Sequence, residues 1–267
     1  MNKKKILLTH SFKGGTGKTV VAINLVYYLS QRAKILYIDG DLLAPSLEKI
    51  IPPKDGVDKR RTWTDFLEGV YPNVEDVIYK TRYKNLDVIY SPPPEVGKSF
   101  MSEKKMNWWV NALKKELLCR ERWFNELKYD YVLIDNQNGV SLNGANNITV
   151  SDVGFIILRP VTYGVSGTTH LVKEMYKTIQ GIRDRKDFLI WNQIPQSSDQ
   201  KSNERVLSLL KDWDQSFRRI MVEPLAKIFY DPELSISMLE EKPDQLLGVS
   251  KSMQEHAESI LKLAEIL

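Results

Sequence analysis

The stretch Lys13-Gly14-Gly15-Thr16-Gly17-Lys18-Thr19 constrains this chain more than any other. It follows the apolar run Ile6-Leu7-Leu8 and precedes a second apolar run, Val20 to Leu29. A strand, a tight glycine turn and a helix start are implied in that order. Such a turn gathers several backbone N–H groups into one concavity, and the helix dipole adds positive potential there. Phosphate is the natural guest, and the glycines let its oxygens approach the backbone closely. Gly14, Gly15, Thr16, Gly17, Lys18, Thr19 and Val20 are therefore the expected phosphate- and nucleotide-binding residues. Lys18 can reach the outer phosphates as a point charge, and the Thr19 hydroxyl can ligate magnesium. The common pattern G-x-x-x-x-G-K-[ST] would put glycine at position 12. This chain has Phe12 there, and an additional lysine, Lys13, at the start of the loop.

Beyond the loop, strands and helices are expected to alternate. Strands are read at Lys5–Ser11, Lys34–Ile38, Leu86–Tyr90, Tyr131–Asp135, Val153–Leu158, Phe188–Trp191 and Ala226–Phe229. Helices are read at Val20–Gln31, Thr62–Gly69, Met101–Leu127 (one long helix or two), Ser166–Arg183, Glu204–Leu210 and Lys251–Leu267. The strands are apolar runs rather than alternations, as burial on both faces requires. Alternation of this kind implies parallel pairing with right-handed crossovers. The expected fold is therefore α/β: three layers, a doubly wound and mostly parallel sheet with helices on both faces, of the P-loop NTPase type. One domain, residues 1–267, suffices, and no internal repeat or low-complexity linker divides it.

In an open α/β sheet, ligands bind outside the carboxyl ends of the strands. Sorted by that rule, the polar residues converge. The glycine loop follows the first strand, Asp39 and Asp41 follow the second, Asp135 ends the strand Tyr131–Asp135, and Asn192 follows Trp191. Asp135 fits the acid that holds magnesium, through water, beside a triphosphate. Asp41 is placed to position or polarise the attacking water. Asp39, two residues away on the same side of an extended chain, is expected to brace a loop lysine or a partner residue. Lys59-Arg60-Arg61 reads as a solvated face, with anion contact as its alternative.

Composition closes off other classes. The single cysteine, Cys119, leaves no internal disulfide and no cysteine set for an iron–sulfur cluster. The basic start, Lys3-Lys4-Lys5, runs into the glycine loop and is no secretory leader. No run is long enough to span a bilayer, so a cytoplasmic location is expected. A net charge of +4 permits contact with DNA or an anionic membrane without arguing for either. The last segment carries Glu255, Glu258 and Glu265 beside Lys251 and Lys262. That mixture suits a helix packed on the domain better than one lying on a membrane.

Lys13 to Thr19, with its two lysines, resembles the deviant phosphate loop of the ParA/MinD family of partitioning and positioning ATPases. The resemblance implies that Lys13 reaches across a dimer interface to the nucleotide held by the other subunit. Asp39-Gly40-Asp41 is similar to the family's first switch. Asp135 to Gly139 is similar to the second, with Asn136-Gln137-Asn138 in place of the usual Thr-Pro-Pro portion. The glycine there implies that the Gly139 amide meets the γ-phosphate. Asn192 matches the family's base-reading asparagine, and no Asn-Lys-x-Asp is present, so ATP is expected over GTP. Tyr230-Asp231-Pro232 resembles the loop that walls the base, a simple turn being its alternative. The implied protein is a magnesium- and ATP-dependent dimerising switch with slow hydrolysis. It would position a cargo on DNA, a membrane or a protein partner, with a protein activator. Two alternatives stay open: a ligase or kinase of the dethiobiotin-synthetase type, and a nucleotide-dependent binding module with little hydrolysis.

Overall fold

The structure, a computed structural model, describes residues 4–55, 60–239, 257–259 and 262. The expected helix Lys251–Leu267 falls almost wholly outside them. Strand β1 spans Lys5–His10 and leads through the glycine loop into helix α1, Lys18–Ser30. Then come β2 (Ile35–Gly40), α2 (Leu47–Ile50), α3 (Trp63–Glu68), β3 (Tyr79–Lys80) and β4 (Leu86–Ile89). Helices α4 (Pro94–Glu103) and α5 (Met106–Glu121) precede β5 (Tyr131–Asn136) and α6 (Leu142–Val150). Next are β6 (Val153–Leu158) and α7 (Thr162–Leu171), which continues through a π-helical turn, Val172–Tyr176, into α8 (Lys177–Gln180). Strand β7 (Lys186–Ile194), α9 (Gln200–Arg218), β8 (Val222–Phe229) and α10 (Pro232–Leu239) complete the described elements.

The eight strands form one sheet in the order β3-β4-β2-β5-β1-β6-β7-β8. Every pairing is parallel except the two-residue edge strand β3 against β4. β1 lies between β5 and β6, so the chain winds outward on both sides of the strand that carries the glycine loop. Residues of each central strand divide alternately between two cores. Ile6, Leu8, Leu36, Ile38, Val132 and Ile134 face α3, α5, α6, α7 and α9. Leu7, Ile35, Tyr37, Leu133 and Phe155 face α1. Each such side chain contributes about 1.5–3 kcal/mol by leaving water. This double burial is what the unbroken apolar runs of the sequence encode.

Some boundaries differ from expectation for identifiable reasons. The run from Met101 is broken between Glu103 and Met106, giving two helices, and α5 ends in a π-helical turn at Arg122–Glu126. Leu118 of α5, one of its periodic apolar residues, is 76% exposed. β7 runs on through Asn192 to Ile194, with Gln193 in left-handed backbone at φ 54°. β8 begins four residues earlier than expected, at Val222, and contains Pro224. An edge strand accepts that proline because one row of its backbone groups has no ladder partner.

One buried group stands apart from the site. Glu116 of α5 is 1% exposed and neither carboxylate oxygen has a hydrogen-bond partner. Burial pushes its carboxyl up to about 8. The folded state therefore holds a proton that the unfolded chain releases near pH 4.5. Stability from this group is complete below that pH and is lost as pH rises through about 8. Glu116→Gln is expected to remove that decline and to stabilise the protein by about 4–5 kcal/mol at pH 9, with little change at pH 4. Urea unfolding at the two pH values checks this.

Candidate functional site

The glycine loop closes as its composition requires. Gly15 and Gly17 lie in left-handed backbone, at φ 75° and 79°, where a Cβ would clash with the backbone. Gly17 is also the residue before α1. The first N–H groups of that helix have no carbonyl partner within it, which leaves a ring of donors at the loop. Lys18 is buried, and its Nζ donates to Asp135 Oδ1 at 2.7 Å. Thr9 Oγ1 donates to the same oxygen at 2.7 Å, and the Tyr37 hydroxyl to the other at 3.4 Å.

Strand register explains why these groups meet. Thr9 on β1 is level with Asp135 on β5, and Asp135 is level with Asp39 on β2. Three polar side chains thus stand in a row at the carboxyl rim of adjacent strands. Burial pushes the Asp39 carboxyl up to about 7, and the Asp135 charge adds to the effect, while backbone N–H groups and Lys18 oppose it. Two neighbouring buried carboxylates with one lysine between them form a site that a divalent cation would relieve electrostatically. Thr19, in the first turn of α1, is the adjacent hydroxyl.

The segment that follows β2 is held by its own acids. Asp39 Oδ1 accepts from the Asp41 N–H at 3.2 Å, and Oδ2 accepts from the N–H groups of Ser46 and Leu47, both at 3.3 Å. Asp39 thus braces its own loop; the loop lysine or partner residue that the sequence suggested for it is not among these bonds. Asp41 Oδ1 accepts from the N–H groups of Leu43 at 3.2 Å and Ala44 at 2.9 Å. Both bonds fall on one carboxylate oxygen and hold it against the loop that follows.

The segment Asn136–Gly139, which has no proline, is held by side-chain amides. Asn136 is fully buried; its Oδ1 accepts from Asn147 Nδ2 and from the Gln137 N–H, both at 3.0 Å, and its Nδ2 donates to Gly144 O at 3.3 Å. Asn138 Oδ1 accepts from Ser11 Oγ at 2.7 Å. Gly139, at φ 74°, donates its N–H to Ser11 O at 2.9 Å. The amide that was expected to meet a γ-phosphate is thus engaged in this state. His10, which sequence reasoning passed over, holds the other side of Gly139. Its Nε2 lies 2.8 Å from Gly139 O and its Nδ1 2.7 Å from the Tyr176 hydroxyl. Burial lowers the His10 pKa to about 4. A lone histidine at a strand end carries no signal that separates this role from ordinary packing.

Beside the loop lies a cavity of about 280 Å³ lined by Gly15, Gly17, Val20, Asn192, Gln193, Tyr230 and Asp231, among others. Asn192 Nδ2 donates to Thr16 O at 2.7 Å. One of its two amide hydrogens is committed to the loop, which leaves the other hydrogen and the carbonyl to meet a base entering the cavity. Tyr230 and Asp231 both wall this cavity and form a turn, with Asp231 Oδ1 accepting from the Leu234 N–H at 3.2 Å. Lys13 stands outside the Lys18–Asp135 cluster. It is exposed, and its Nζ lies 4.9 Å over the ring of Tyr163, the second residue of α7. Arg60 pairs with Glu48 and lies over Tyr90, and Arg61 lies over Tyr71. Among the described residues, no group of three or more histidine, cysteine, aspartate or glutamate side chains could enclose a metal. No helix among them is long and apolar enough to cross a membrane.

Comparison with known proteins agrees with this geometry. An ATP-binding protein of Methanocaldococcus jannaschii is 33% identical over 133 residues, covering 49% of this chain and 43% of its own length. The chain spans about half the length of the first curated relatives it matches. A candidate plasmid partition protein from Borrelia burgdorferi B31, solved with AMPPNP bound, superposes with a TM-score of 0.76. It is 23% identical, with 98% of each chain covered. The septum site-determining protein MinD from Pyrococcus horikoshii OT3, complexed with Mg-ADP, superposes with a TM-score of 0.67 at 23% identity, again with 98% of each chain covered. These two likenesses establish the fold. A family model described as an AAA domain matches residues 3–189. With that match spanning more than half of its length, the chain belongs to this family, the ParA/MinD type of P-loop ATPases.

Proposed function

We propose that residues 1–267 act as a single P-loop ATPase domain and that the chain is a magnesium-ATP-dependent dimerising switch with slow hydrolysis. The observation that carries this reading is the buried Lys18–Asp135 pair, set at the mouth of the glycine loop with Asp39 one strand away. Loop amides and Lys18 take the phosphates, and the Asn192 cavity takes the adenine. Magnesium would be held by Thr19 and, through water, by Asp135; when bound it neutralises charge on the β- and γ-phosphates. Lys18 then turns from Asp135 to the phosphates. Asp41 positions the attacking water once its loop opens. Lys13, parked over Tyr163 and free of the cluster, supplies positive charge to the nucleotide of a second subunit. The partner surface would be DNA, membrane or protein, in the cytoplasm, with a protein activator and no iron–sulfur cluster.

A nucleotide-gated binding module with little turnover is the second reading. It is favoured by the doubly engaged Gly139, which slows any approach of that amide to a γ-phosphate. Light scattering with ATP and with ADP, together with phosphate release, separates the two. The switch reading expects a doubling of mass with ATP alone and measurable turnover; doubling without turnover supports the second. A mass unchanged by ATP overturns the dimerising switch. Lys13→Ala is expected to reduce turnover and ATP-driven dimerisation by about a hundredfold or more, the scale of one lost charge contact in the transition state. ADP affinity should stay near the parent value. Unaltered turnover in that variant would refute the action in trans.

A further inference from the structure

His10, Tyr176 and Gly139 form a chain of hydrogen bonds whose proton positions are set by chemistry. The Gly139 carbonyl can only accept, so His10 Nε2 carries the hydrogen. His10 Nδ1 is then an acceptor, and the Tyr176 hydroxyl must donate to it. Burial keeps both groups in these forms: the histidine neutral, as its lowered pKa requires, and the tyrosine protonated, its pKa raised well above the usual value. The rings are stacked, with centroids 5.9 Å apart and planes 20° apart. Both side chains are fully buried. Tyr176 is held from its far side as well, with the Arg185 guanidinium 5.1 Å from its ring. Arg185 is locked in a fully buried pair with Asp187.

This chain ends on a helical segment with an unusual feature. Tyr176 closes the π-helical turn Val172–Tyr176, which interrupts the helix running from Thr162 to Gln180. Such turns interrupt a helix locally and are frequent at functional sites. At the other end of the segment stands Tyr163, 67% exposed, with Lys13 over its ring. The second switch is therefore tied by two buried hydrogen bonds to a helix that reaches the surface beside the glycine loop.

We propose that His10 is the positioning residue of the second switch and relays its state, through Tyr176, to the helical segment 162–180. The proposal rests on the nucleotide-site reading above. For the Gly139 N–H to serve a γ-phosphate, it must leave Ser11 O, which requires a change in the Gly139 backbone angles. The same change moves the Gly139 carbonyl with respect to His10. A triphosphate thus alters the hydrogen bond that His10 makes, and a diphosphate does not. Tyr176 transmits the difference because its hydroxyl is hydrogen-bonded to His10 Nδ1, 2.7 Å away.

The test is hydrogen–deuterium exchange on the full chain with AMPPNP and with ADP. The wild type is expected to change protection over Val172–Tyr176 with AMPPNP and not with ADP. Tyr176→Phe keeps the ring, and should abolish that difference while ADP affinity stays within about threefold, under 1 kcal/mol. His10→Gln covers the case in which the phenylalanine variant fails to fold. Its amide can still donate to Gly139 O but is not placed to accept from Tyr176, so it too should lose the response at 172–176. Equal protection with AMPPNP and ADP in the wild type would overturn the relay and leave the nucleotide site standing. So would a full response retained in either variant. Absence of any binding of either nucleotide would overturn the site reading and the relay together.

Discussion

Lys18→Ala is expected to lower folding stability by about 3–5 kcal/mol and to weaken adenine-nucleotide binding by at least about a hundredfold. The two losses share one cause. Asp135 is 2% exposed, and Lys18 is the cation within hydrogen-bond reach of its carboxylate. Removing the lysine leaves a buried charge supported by Thr9 at 2.7 Å and by Tyr37 at 3.4 Å. Neutral donors offset only part of that penalty. A second change, Asp135→Asn in the same chain, removes the stranded charge. It should restore most of the stability and none of the nucleotide affinity. Urea unfolding and calorimetry on the single and double variants read the two effects separately. Parent-like stability of the single variant would mean that the pair does not carry the charge balance of the site.

Gly17→Ala carries the second large effect, and geometry makes it asymmetric with Gly14→Ala. At Gly17 the backbone is at φ 79°, which costs an alanine about 1–2 kcal/mol. The added Cβ would also stand 2.4 Å from Asn192 Nδ2, pushing aside the amide that ties the base cavity to the loop. The strain and the displaced asparagine act on the same ligand, so nucleotide affinity should fall by roughly 30-fold or more. Discrimination between ATP and GTP should narrow with it. At Gly14 an added Cβ meets nothing closer than Asn138 Nδ2 at 3.6 Å, an ordinary contact. Gly14→Ala should leave stability within about 0.5 kcal/mol of the parent. Thermal unfolding of both variants, with nucleotide titrations on the Gly17 variant, checks the contrast. Equal stability losses at the two positions would show that backbone conformation is not what the loop selects for.

The elements that were legible in the sequence are those whose burial leaves a pattern. β1, β5 and β6 are apolar runs between polar ends because both of their faces are covered. The rim placement of Asp39, Asp135 and Asn192 followed from the rule that open sheets bind at strand carboxyl ends. α6 was not legible. Its sequence, Leu142 to Val150, is rich in asparagine and holds Gly144, residues with poor helix propensity. It is stabilised instead by contacts no local pattern encodes: Asn143 to Gly40 O, Asn146 to Trp109 O and Asn147 to Asn136. Its start is fixed by Ser141, whose hydroxyl accepts from the Gly144 N–H at 2.8 Å. The same helix holds the segment Asn136–Gly139, which has no proline, through Asn147 and Gly144 O. The resting engagements of Asp41 and Gly139 were also hidden, because each is a bond between a site residue and a nearby backbone group. Spacing reveals which residues meet at a rim, but not what they hold while the ligand is away.

Thr9, Asp135 and Asp39 owe their alignment to backbone pairing in β1, β5 and β2. Lengthening the turns that follow these strands leaves the spacing of the three groups unchanged. Slipping any one strand by a single residue turns its polar group to the opposite face and buries an apolar one in its place. Tolerance to insertion should therefore be far lower within these strands than in the outer loops, which can diversify while the grip on charge stays fixed.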